Sequence, residues 1–268
     1  MLHLTIQRFN RLDNITDVRN VMPVESTRNT QKVTLYRSIL RATVPLRTRL
    51  GLTRHQIAAS TFPCWCWRQA TGSHPLALTT DLFPQETELL LKTFRDARPS
   101  TYLEIGVFWG GTFRNVLQHR DNLSLSTKCF GLDVWDEVKD SAVNTHVSGW
   151  PNRATVRRAL EKRHLGNFEL LAGLSAQVRD LVPGRMDFVF HDANHAYAAV
   201  KEDLERLHPL MTDGAMMLVH NAGKDHEPDR SYYQADGGPY QAIMDLVQAG
   251  KWDLKTLEYR LAVLKRRP

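Results

Sequence analysis

The chain has 268 residues, enough for one large α/β domain with an extension or for two small domains, and its 42% apolar and 24% charged residues are typical of a globular protein. No apolar run reaches the roughly 18 residues of a membrane span, and three cysteines are too few for a disulfide scaffold. With a formal net charge of +6, the composition argues against a transmembrane or disulfide-rich secreted protein and favours a cytoplasmic one.

The positive charge is concentrated in residues 1–80, which we predict to be a basic, partly helical N-terminal extension. This segment contains 11 Lys and Arg residues against 3 Asp and Glu residues, whereas the remainder contains 24 against 26. Residues 31–50 show a helical pattern of apolar positions with arginines between them. Three roles stay open for the extension: contact with an anionic partner, packing in a homo-oligomer, or a solvated arm.

After a helix predicted over residues 85–94, residues 101–112 read TYLEIGVFWGGT and predict a strand, a glycine-rich turn and the start of a second helix. Gly106, Gly110 and Gly111 let the backbone approach a ligand closely, and the helix start offers free N–H groups. A parallel α/β sheet builds a nucleotide pocket in this way, at the carboxyl end of its first strand. The spacing differs from G-x-G-x-x-G and from a Walker loop, and a tight strand–helix connection without a ligand is the alternative.

A second strand is predicted over residues 128–133, and it ends in Asp133, 29 residues after Glu104. This spacing suits one strand–helix–strand unit. A carboxylate at this position can accept hydrogen bonds from both hydroxyls of a ribose. Because aspartate also caps helices, an N-cap role for Asp133 is the alternative.

Strands and helices continue to alternate to the end of the chain. Further strands are predicted at residues 168–173, 186–192, 215–220, 252–254 and 259–264, and further helices at residues 151–165, 176–181, 198–210 and 239–247. The polar segment 223–239 is predicted to be a loop over the site. This alternation predicts an α/β domain across residues 81–268, with a doubly wound, mostly parallel seven-stranded sheet and ligands outside the carboxyl ends of the strands.

Several stretches of the chain resemble class I S-adenosylmethionine-dependent methyltransferases. Residues 104–112, EIGVFWGGT, are similar to the first motif of that family. Residues 192–197, with the pattern D-x-x-H-x-Y, and residues 219–221, VHN, are similar to a branch that contains macrolide-sugar O-methyltransferases and cephalosporin-hydroxylase-like proteins. The resemblance covers about residues 85–265 and implies a Rossmann-like fold with S-adenosylmethionine as the cofactor.

The resemblance also implies a role for each matching residue. The residues expected to bind the cofactor are Glu104, Gly106, Gly110, Gly111, Thr112, Asp133, Ser175 and Asp192. Among them, Asp133 would bind the ribose, Ser175 would lie by the adenine, and Asp192 would face the sulfonium or a metal ion. Two positions depart from the branch: Leu174 stands where an acid near the adenine is common, and Asn221 replaces the second acid of a His-Asp pair.

The implied reaction is methyl transfer to a hydroxyl, which is a weak nucleophile until a base or a metal ion lowers its effective pKa. His195 is the expected base, three residues after Asp192, because histidine exchanges protons near neutral pH. A helix-start residue that only bonds the backbone is the alternative for His195, and His220, a further catalytic candidate, has the same ambiguity. The candidate ligands for a divalent cation such as Mg²⁺ are Asp192, His220 and Asn221, although a single carboxylate is a poor magnesium site.

Four functions stay open on the sequence. The leading one is O-methylation of a small-molecule or sugar hydroxyl. RNA methylation is encouraged by the basic extension, but no RNA-binding module is recognisable, so a nucleic-acid partner is not expected. A catalytically degenerate binding protein on the same fold would be consistent with Leu174 and Asn221. A nicotinamide oxidoreductase is disfavoured by the longer glycine spacing.

Overall fold

The computed structural model describes residues 77–135, 151–223 and 238–268. Almost all of the expected extension, residues 1–80, and of the predicted 223–239 loop lies outside these ranges, so both stay predictions. Among the described helices, none combines the length and the apolar character needed to cross a membrane.

Seven strands and six helices alternate along the described residues. The strands are β1 (Thr101–Ile105), β2 (Lys128–Asp133), β3 (Phe168–Ala172), β4 (Met186–His191), β5 (Met211–Val219), β6 (Trp252–Glu258) and β7 (Leu261–Arg266). The helices are α1 (Pro84–Ala97), α2 (Gly111–Asn122), α3 (Arg153–Glu161), α4 (Val178–Leu181), α5 (Tyr197–Leu207) and α6 (Gly238–Gln248). Short 3₁₀ turns precede α4 and follow α5, at Ser175–Gln177 and His208–Leu210.

The seven strands form one sheet in the order β3-β2-β1-β4-β5-β7-β6. Strands β1 to β5 are parallel to one another, whereas β7 is antiparallel to both β5 and β6. The chain moves outward from β1 to β3 and then crosses to β4 on the other side of β1. This confirms the predicted doubly wound, mostly parallel sheet and places its switch point between β1 and β4, where such sheets bind ligands.

The sheet is covered on both faces by apolar side chains. Leu103 and Ile105 of β1 belong to one cluster with Val200 of α5, while Tyr102 belongs to a second cluster with Phe94 of α1. Strand β1 contributes to both clusters because successive strand side chains point to opposite faces of a sheet. Each fully buried leucine or phenylalanine contributes about 1.5–3 kcal/mol, so the strands that carry the site are held rigidly.

Strand β5 begins earlier than the sequence pattern predicts. The turn predicted at Asp213 and Gly214 lies inside β5, where Gly214 has a φ of 75°. The pairing of β5 with β4 is irregular at this point, with a shift of register between Met186 and Phe188. Glycine accepts this backbone, so here it marks a bulge within a strand rather than the end of a turn.

The last two strands form a tight hairpin. Strand β6 extends to Glu258 and β7 begins at Leu261, so Tyr259 and Arg260 form the turn, although the sequence pattern assigns both to the last strand. Tyr259 has a φ of 58°, as two-residue hairpin turns require at their central positions. Arg260 is therefore a turn residue, free to point away from the sheet.

Candidate active site

The glycine turn after β1 packs directly against the residue that follows β4. Gly106 has a φ of 89°, and a Cβ atom there would lie 2.0 Å from the carbonyl oxygen of Asp192. Only glycine suits this combination of left-handed backbone and close approach. Asp192 N also donates to Ile105 O at 2.8 Å, and Gly110 takes a left-handed φ of 78° at the start of α2. The first motif and Asp192 are thereby held side by side at the switch point.

Residues that precede α1 cover the start of α2. A Cβ atom at Gly111 would lie 2.1 Å from the carbonyl carbon of Thr79. Thr112 Oγ1 lies 2.7 Å from Thr80 Oγ1. Gly111 and Thr112 were expected from the sequence to bind the cofactor. Both also have packing roles, while the cofactor contact itself stays a prediction.

Asp133 ends β2 and faces the glycine turn. Its Oδ2 accepts a hydrogen bond from Phe108 N at 2.6 Å, and its Oδ1 accepts one from Val134 N at 2.7 Å. Oδ1 also accepts from Trp135 N at 3.4 Å, and together these bonds orient the carboxylate. The geometry is compatible with the expected ribose contact, which stays a prediction.

Ser175 lies at the carboxyl end of β3, next to β2. It opens a 3₁₀ turn and is half-buried. Gly173 N donates to Asp133 O at 3.0 Å, which ties the end of β3 to the end of β2. Leu174 N donates to Gln177 Oε1 at 2.9 Å. The expected contact between Ser175 and the adenine stays a prediction.

Glu104 has a buried and incompletely bonded carboxyl group. The residue is fully buried, and Tyr102 OH donates to its Oε2 at 2.6 Å. Its Oε1 makes no well-aligned hydrogen bond within the described residues. Burial raises the pKa of the Glu104 carboxyl well above its ordinary value; the Tyr102 hydrogen bond opposes this, and the charges of Asp192 and Asp133 add to it. Glu104, Asp133 and Asp192 therefore form an acidic group around the glycine turn.

Asp192, His195 and His220, the three residues predicted to be catalytic, converge beside this group. Asp192 follows β4 and His220 follows β5, and the carboxyl ends of these parallel strands are neighbours. One oxygen, Asp192 Oδ1, lies 2.8 Å from His220 Nδ1 and 3.2 Å from His195 Nε2. Asp192 Oδ2 makes no hydrogen bond to another described residue. The second carboxylate oxygen is therefore available to a ligand.

The cluster is more exposed at one end than at the other. The side chains of Asp192 and His195 are 23% and 13% exposed, whereas that of His220 is 5% exposed. A ligand can therefore reach Asp192 and His195 more readily than His220.

The ion pair between His220 and Asp192 determines the protonation state of both side chains. Burial opposes protonation of His220, but Asp192 and then Glu86 outweigh it and raise the pKa of the imidazole to about 9. Burial also opposes ionisation of Asp192, but His220 and His195 hold the pKa of that carboxyl well below its ordinary value. At neutral pH, His220 is therefore an imidazolium and Asp192 a carboxylate.

Two residues outside the sequence motifs complete the cluster. Glu86, in the first turn of α1, places Oε2 3.7 Å from His220 Nε2, within ion-pair distance but beyond a hydrogen bond. Arg260 donates from Nε to Glu86 Oε1 and from Nη2 to Glu86 Oε2, both at 2.5 Å. Burial opposes ionisation of Glu86, but His220 and Arg260 lower its pKa to about 2. An acid in a first helical turn ordinarily indicates only capping, so the local sequence holds no signal for this role.

Asn221 joins Arg260 to His195. Its Oδ1 accepts a hydrogen bond from Arg260 Nη1 at 3.3 Å, and its Nδ2 lies 3.4 Å from each ring nitrogen of His195. Asn221 has a left-handed φ of 55°, which asparagine tolerates better than most residues. The Asn221 amide is thus connected to both sides of the cluster.

The donor set at the ends of β4 and β5 does not fit Mg²⁺. Donor atoms of Asp192, His195 and His220 lie within 4.8 Å of one another, but only one is a carboxylate oxygen, and Mg²⁺ favours several oxygen ligands in octahedral geometry. Asn221 Oδ1 accepts from Arg260, and a histidine held as a cation has no free nitrogen lone pair. Of the candidate ligands Asp192, His220 and Asn221, only Asp192 offers an oxygen, Oδ2, that no other described residue engages.

Comparisons with known proteins agree with this fold. A family model described as "Methyltransferase domain" matches residues 103–222, whereas no curated protein matches the chain. The solved O-methyltransferase from Bacillus cereus in complex with SAH is similar, with 15% identity, a TM-score of 0.52 and coverage of 79% of this chain and 95% of that one. An SAH-bound methyltransferase from Podospora anserina is similar with 17% identity, a TM-score of 0.53 and coverage of 77% and 87%.

At these identities the likeness to solved structures shows the fold, and the family model adds the kind of domain. The matched residues run from β1 to the turn after β5 and include the glycine turn at the switch point. The branch with macrolide-sugar O-methyltransferases stays a prediction. Residues 103–222 thus match a methyltransferase domain, and the described part of the chain has the Rossmann-like fold of the solved methyltransferases to which it is similar.

Proposed function

We propose that this protein transfers the methyl group of S-adenosylmethionine to a hydroxyl of a small molecule, with His195 as the general base. The observation that carries this proposal is the 3.2 Å contact between Asp192 Oδ1 and His195 Nε2, beside the glycine turn. A carboxylate paired with an accessible histidine is the arrangement that general-base catalysis needs. A solved O-methyltransferase among the similar structures supports a hydroxyl as the acceptor.

The acidic group around the glycine turn suits a cationic cofactor. S-adenosylmethionine, when bound, supplies an electrophilic methyl group on a positively charged sulfur. Glu104 Oε1 is a buried acceptor without a well-aligned hydrogen bond in the described residues, which suits the cofactor's ammonium group. Asp133 would accept hydrogen bonds from the ribose hydroxyls, and Ser175 would lie by the adenine. Gly106 would let the backbone approach the cofactor closely.

The atom that would accept the proton is Nδ1 of His195. In this mechanism Asp192 Oδ1 would accept the ring proton of neutral His195 from Nε2, and Nδ1 would exchange its 3.4 Å contact with Asn221 Nδ2 for the acceptor hydroxyl. As the acceptor oxygen bonds to the methyl carbon, its proton passes to His195 Nδ1. The cofactor, when bound, would supply the methyl carbon and would keep the electron pair of the broken carbon–sulfur bond on its sulfur. Asp192 then stabilises the imidazolium that forms, as a carboxylate does in a catalytic triad.

The other functions considered on the sequence have no comparable support. The basic extension that encouraged RNA methylation lies almost wholly outside the described residues. Asn221, which suggested a degenerate site, contacts both Arg260 and His195. The more specific prediction that the acceptor is a sugar rests on the resemblance to the branch with macrolide-sugar O-methyltransferases. A cytoplasmic location and homo-oligomerisation through the extension likewise stay predictions.

The proposed function is tested by binding and by product analysis. Calorimetric titration is expected to show binding of S-adenosylmethionine and none of NADH. Incubation with sugar, phenol and secondary-alcohol acceptors is then expected to produce S-adenosylhomocysteine together with a methyl ether, identified by mass spectrometry. Failure to bind S-adenosylmethionine would overturn the cofactor assignment. A product methylated on nitrogen or carbon would overturn the hydroxyl acceptor.

A further inference from the structure

We propose that Glu86 and Arg260 are positioning residues for the general base His195. Both residues lie outside residues 103–222, the region that matches the family model. The inference rests on the proposed function, because it assigns two residues that act through the base. The observation that supports it is the arrangement of six side chains, one of which is Asp192.

These six side chains form a closed ring of contacts. In order they are Arg260, Glu86, His220, Asp192, His195 and Asn221, and Asn221 returns to Arg260. The successive distances are 2.5, 3.7, 2.8, 3.2, 3.4 and 3.3 Å. Two carboxylates and two cations alternate along the first four members, so their charges balance. Because the charges balance, Glu86 and His220 can be buried without leaving an unpaired charge in the protein interior.

Glu86 determines which nitrogen of His220 faces Asp192. The two nitrogens of an imidazole point in different directions, and His220 Nε2 faces Glu86 Oε2 at 3.7 Å while Nδ1 lies 2.8 Å from Asp192 Oδ1. Glu86 is itself held in place, because it is fully buried and its Oε2 accepts from Phe83 N at 2.7 Å. The oxygen fixed by His220 is the one that contacts His195. An inner carboxylate therefore orients the base through two intermediate groups.

Arg260 contacts two members of the ring, Glu86 and Asn221. Its guanidinium engages both oxygens of Glu86, a bidentate geometry that gives direction as well as charge. Without this cation, Glu86 would compete with Asp192 for His220. The remaining nitrogen, Nη1, contacts Asn221 Oδ1 on the other side of His195. The guanidinium also lies over the Phe83 ring, 4.3 Å from its centroid, which restrains it further.

A purely structural clamp between α1 and the β6–β7 turn is the competing explanation. Glu86 and Arg260 are 174 positions apart, so their ion pair does tie distant parts of the chain together. A clamp predicts lower stability with normal turnover by the protein that remains folded. Positioning predicts slower turnover with normal cofactor binding, and the two explanations therefore differ in their kinetic signature.

The first arm of the experiment compares Glu86→Gln and Arg260→Lys with the control variant Asp187→Asn. The Asp187 carboxylate also accepts several hydrogen bonds, from Ser100, Thr101 and Thr212, but it lies on β4 five residues before Asp192, toward the amino end of the strand. We expect Glu86→Gln and Arg260→Lys to lower kcat about tenfold or more, with the KM for S-adenosylmethionine changed less than about twofold. Asp187→Asn is expected to lower the stability of the protein and to leave kcat unchanged.

A double-variant cycle tests whether Glu86 acts through His220. If it does, adding Glu86→Gln to His220→Gln should lower kcat by less than about twofold, because the intermediate group is already lost. If the two substitutions lowered kcat independently, so that their separate factors multiplied in the double variant, the proposal would be overturned. Variants that change only the melting temperature would also overturn it and would leave the clamp as the explanation.

Nitrogen-15 NMR of the histidine rings separates this inference from the proposed function. In the cofactor-free protein, Glu86→Gln is expected to shift the ring signals of both His220 and His195, whereas Asp187→Asn shifts neither. Unchanged His195 signals would overturn the positioning role even in an active enzyme. A wild type that transferred no methyl group, while the ring signals of His195 still shifted in Glu86→Gln, would overturn the methyl-transfer proposal. The same result would support the positioning of His195 by Glu86.

Discussion

His220 Nδ1 lies 2.8 Å from Asp192 Oδ1, although the two residues are 28 positions apart in the chain. They meet because each directly follows one of two neighbouring parallel strands, β4 and β5. Each residue stabilises the charged form of the other. Asp192 is thereby held as a carboxylate beside His195, where it can stabilise the imidazolium that the proposed mechanism would form.

Replacing His195 is expected to slow methyl transfer without preventing cofactor binding. General-base assistance contributes about 10²–10⁴-fold to a rate, so His195→Ala should lower kcat by about 10²-fold or more. Formation of S-adenosylhomocysteine measures turnover, and calorimetry measures binding. The matched control is His164→Asn, an exchange at an exposed histidine before β3 whose φ of 58° asparagine tolerates. Unchanged turnover in His195→Ala would remove this residue from the mechanism.

Replacing Asp133 is expected to weaken binding of S-adenosylmethionine. Hydrogen bonds to a charged group contribute about 1.5–3 kcal/mol, so Asp133→Ala should raise the dissociation constant about tenfold or more. The variant also leaves the Phe108 amide without its 2.6 Å acceptor, and a lower melting temperature is expected. Asp180→Ala, at an exposed acid of α4, serves as the control. Equal affinities for the wild type and Asp133→Ala would contradict the ribose assignment.

Gly106 and Gly184 allow the effect of crowding to be separated from that of backbone conformation. Their φ values are 89° and 81°, but a Cβ atom at Gly106 would overlap the Asp192 carbonyl, whereas no atom lies within 4 Å of one at Gly184. A left-handed alanine costs about 1–2 kcal/mol, and Gly184→Ala should lose only this amount. Gly106→Ala should lose about 3 kcal/mol or more in a denaturant titration and should weaken cofactor binding. Equal losses would contradict the tight packing of this turn.

The pairing of His220 makes stability depend on pH. Its pKa in the folded protein is about 9, above the roughly 6.5 of an unfolded chain. The resulting stabilisation is fully present below about pH 6.5 and is lost as the pH rises through about 9. We expect the free energy of unfolding to fall by about 2–3 kcal/mol over this interval, and His220→Gln to remove most of that fall. Parallel pH profiles of the two proteins would argue against a charged His220.

Methyl transfer is expected to be independent of Mg²⁺. The cluster offers one carboxylate, and the Asn221 oxygen is bonded to Arg260, so the oxygen ligands that Mg²⁺ favours are lacking. Turnover and melting temperature should be the same in EDTA and in millimolar Mg²⁺. Activity that EDTA abolishes and Mg²⁺ restores would show that Asp192, His220 and Asn221 rearrange into a magnesium site.

Local patterns predicted the elements nearest the site well. The predicted strand over residues 128–133 is the observed β2, Lys128–Asp133, because a short apolar run between polar turns has few alternatives. The prediction of a turn at Gly214 was wrong, because glycine marks bulges as well as turns. Arg260 was assigned to a strand because the pattern of neighbouring apolar residues does not show where a two-residue turn lies.

The sequence by itself determined the doubly wound sheet, the glycine turn and the acids at the strand ends, since each depends on patterns within a few consecutive residues. It also placed Asp192 and His220 at the ends of strands. Only the tertiary structure decided that Glu86 and Arg260 join them. Contact between side chains 174 positions apart depends on the path of the whole chain, and no local pattern of residue types encodes that path.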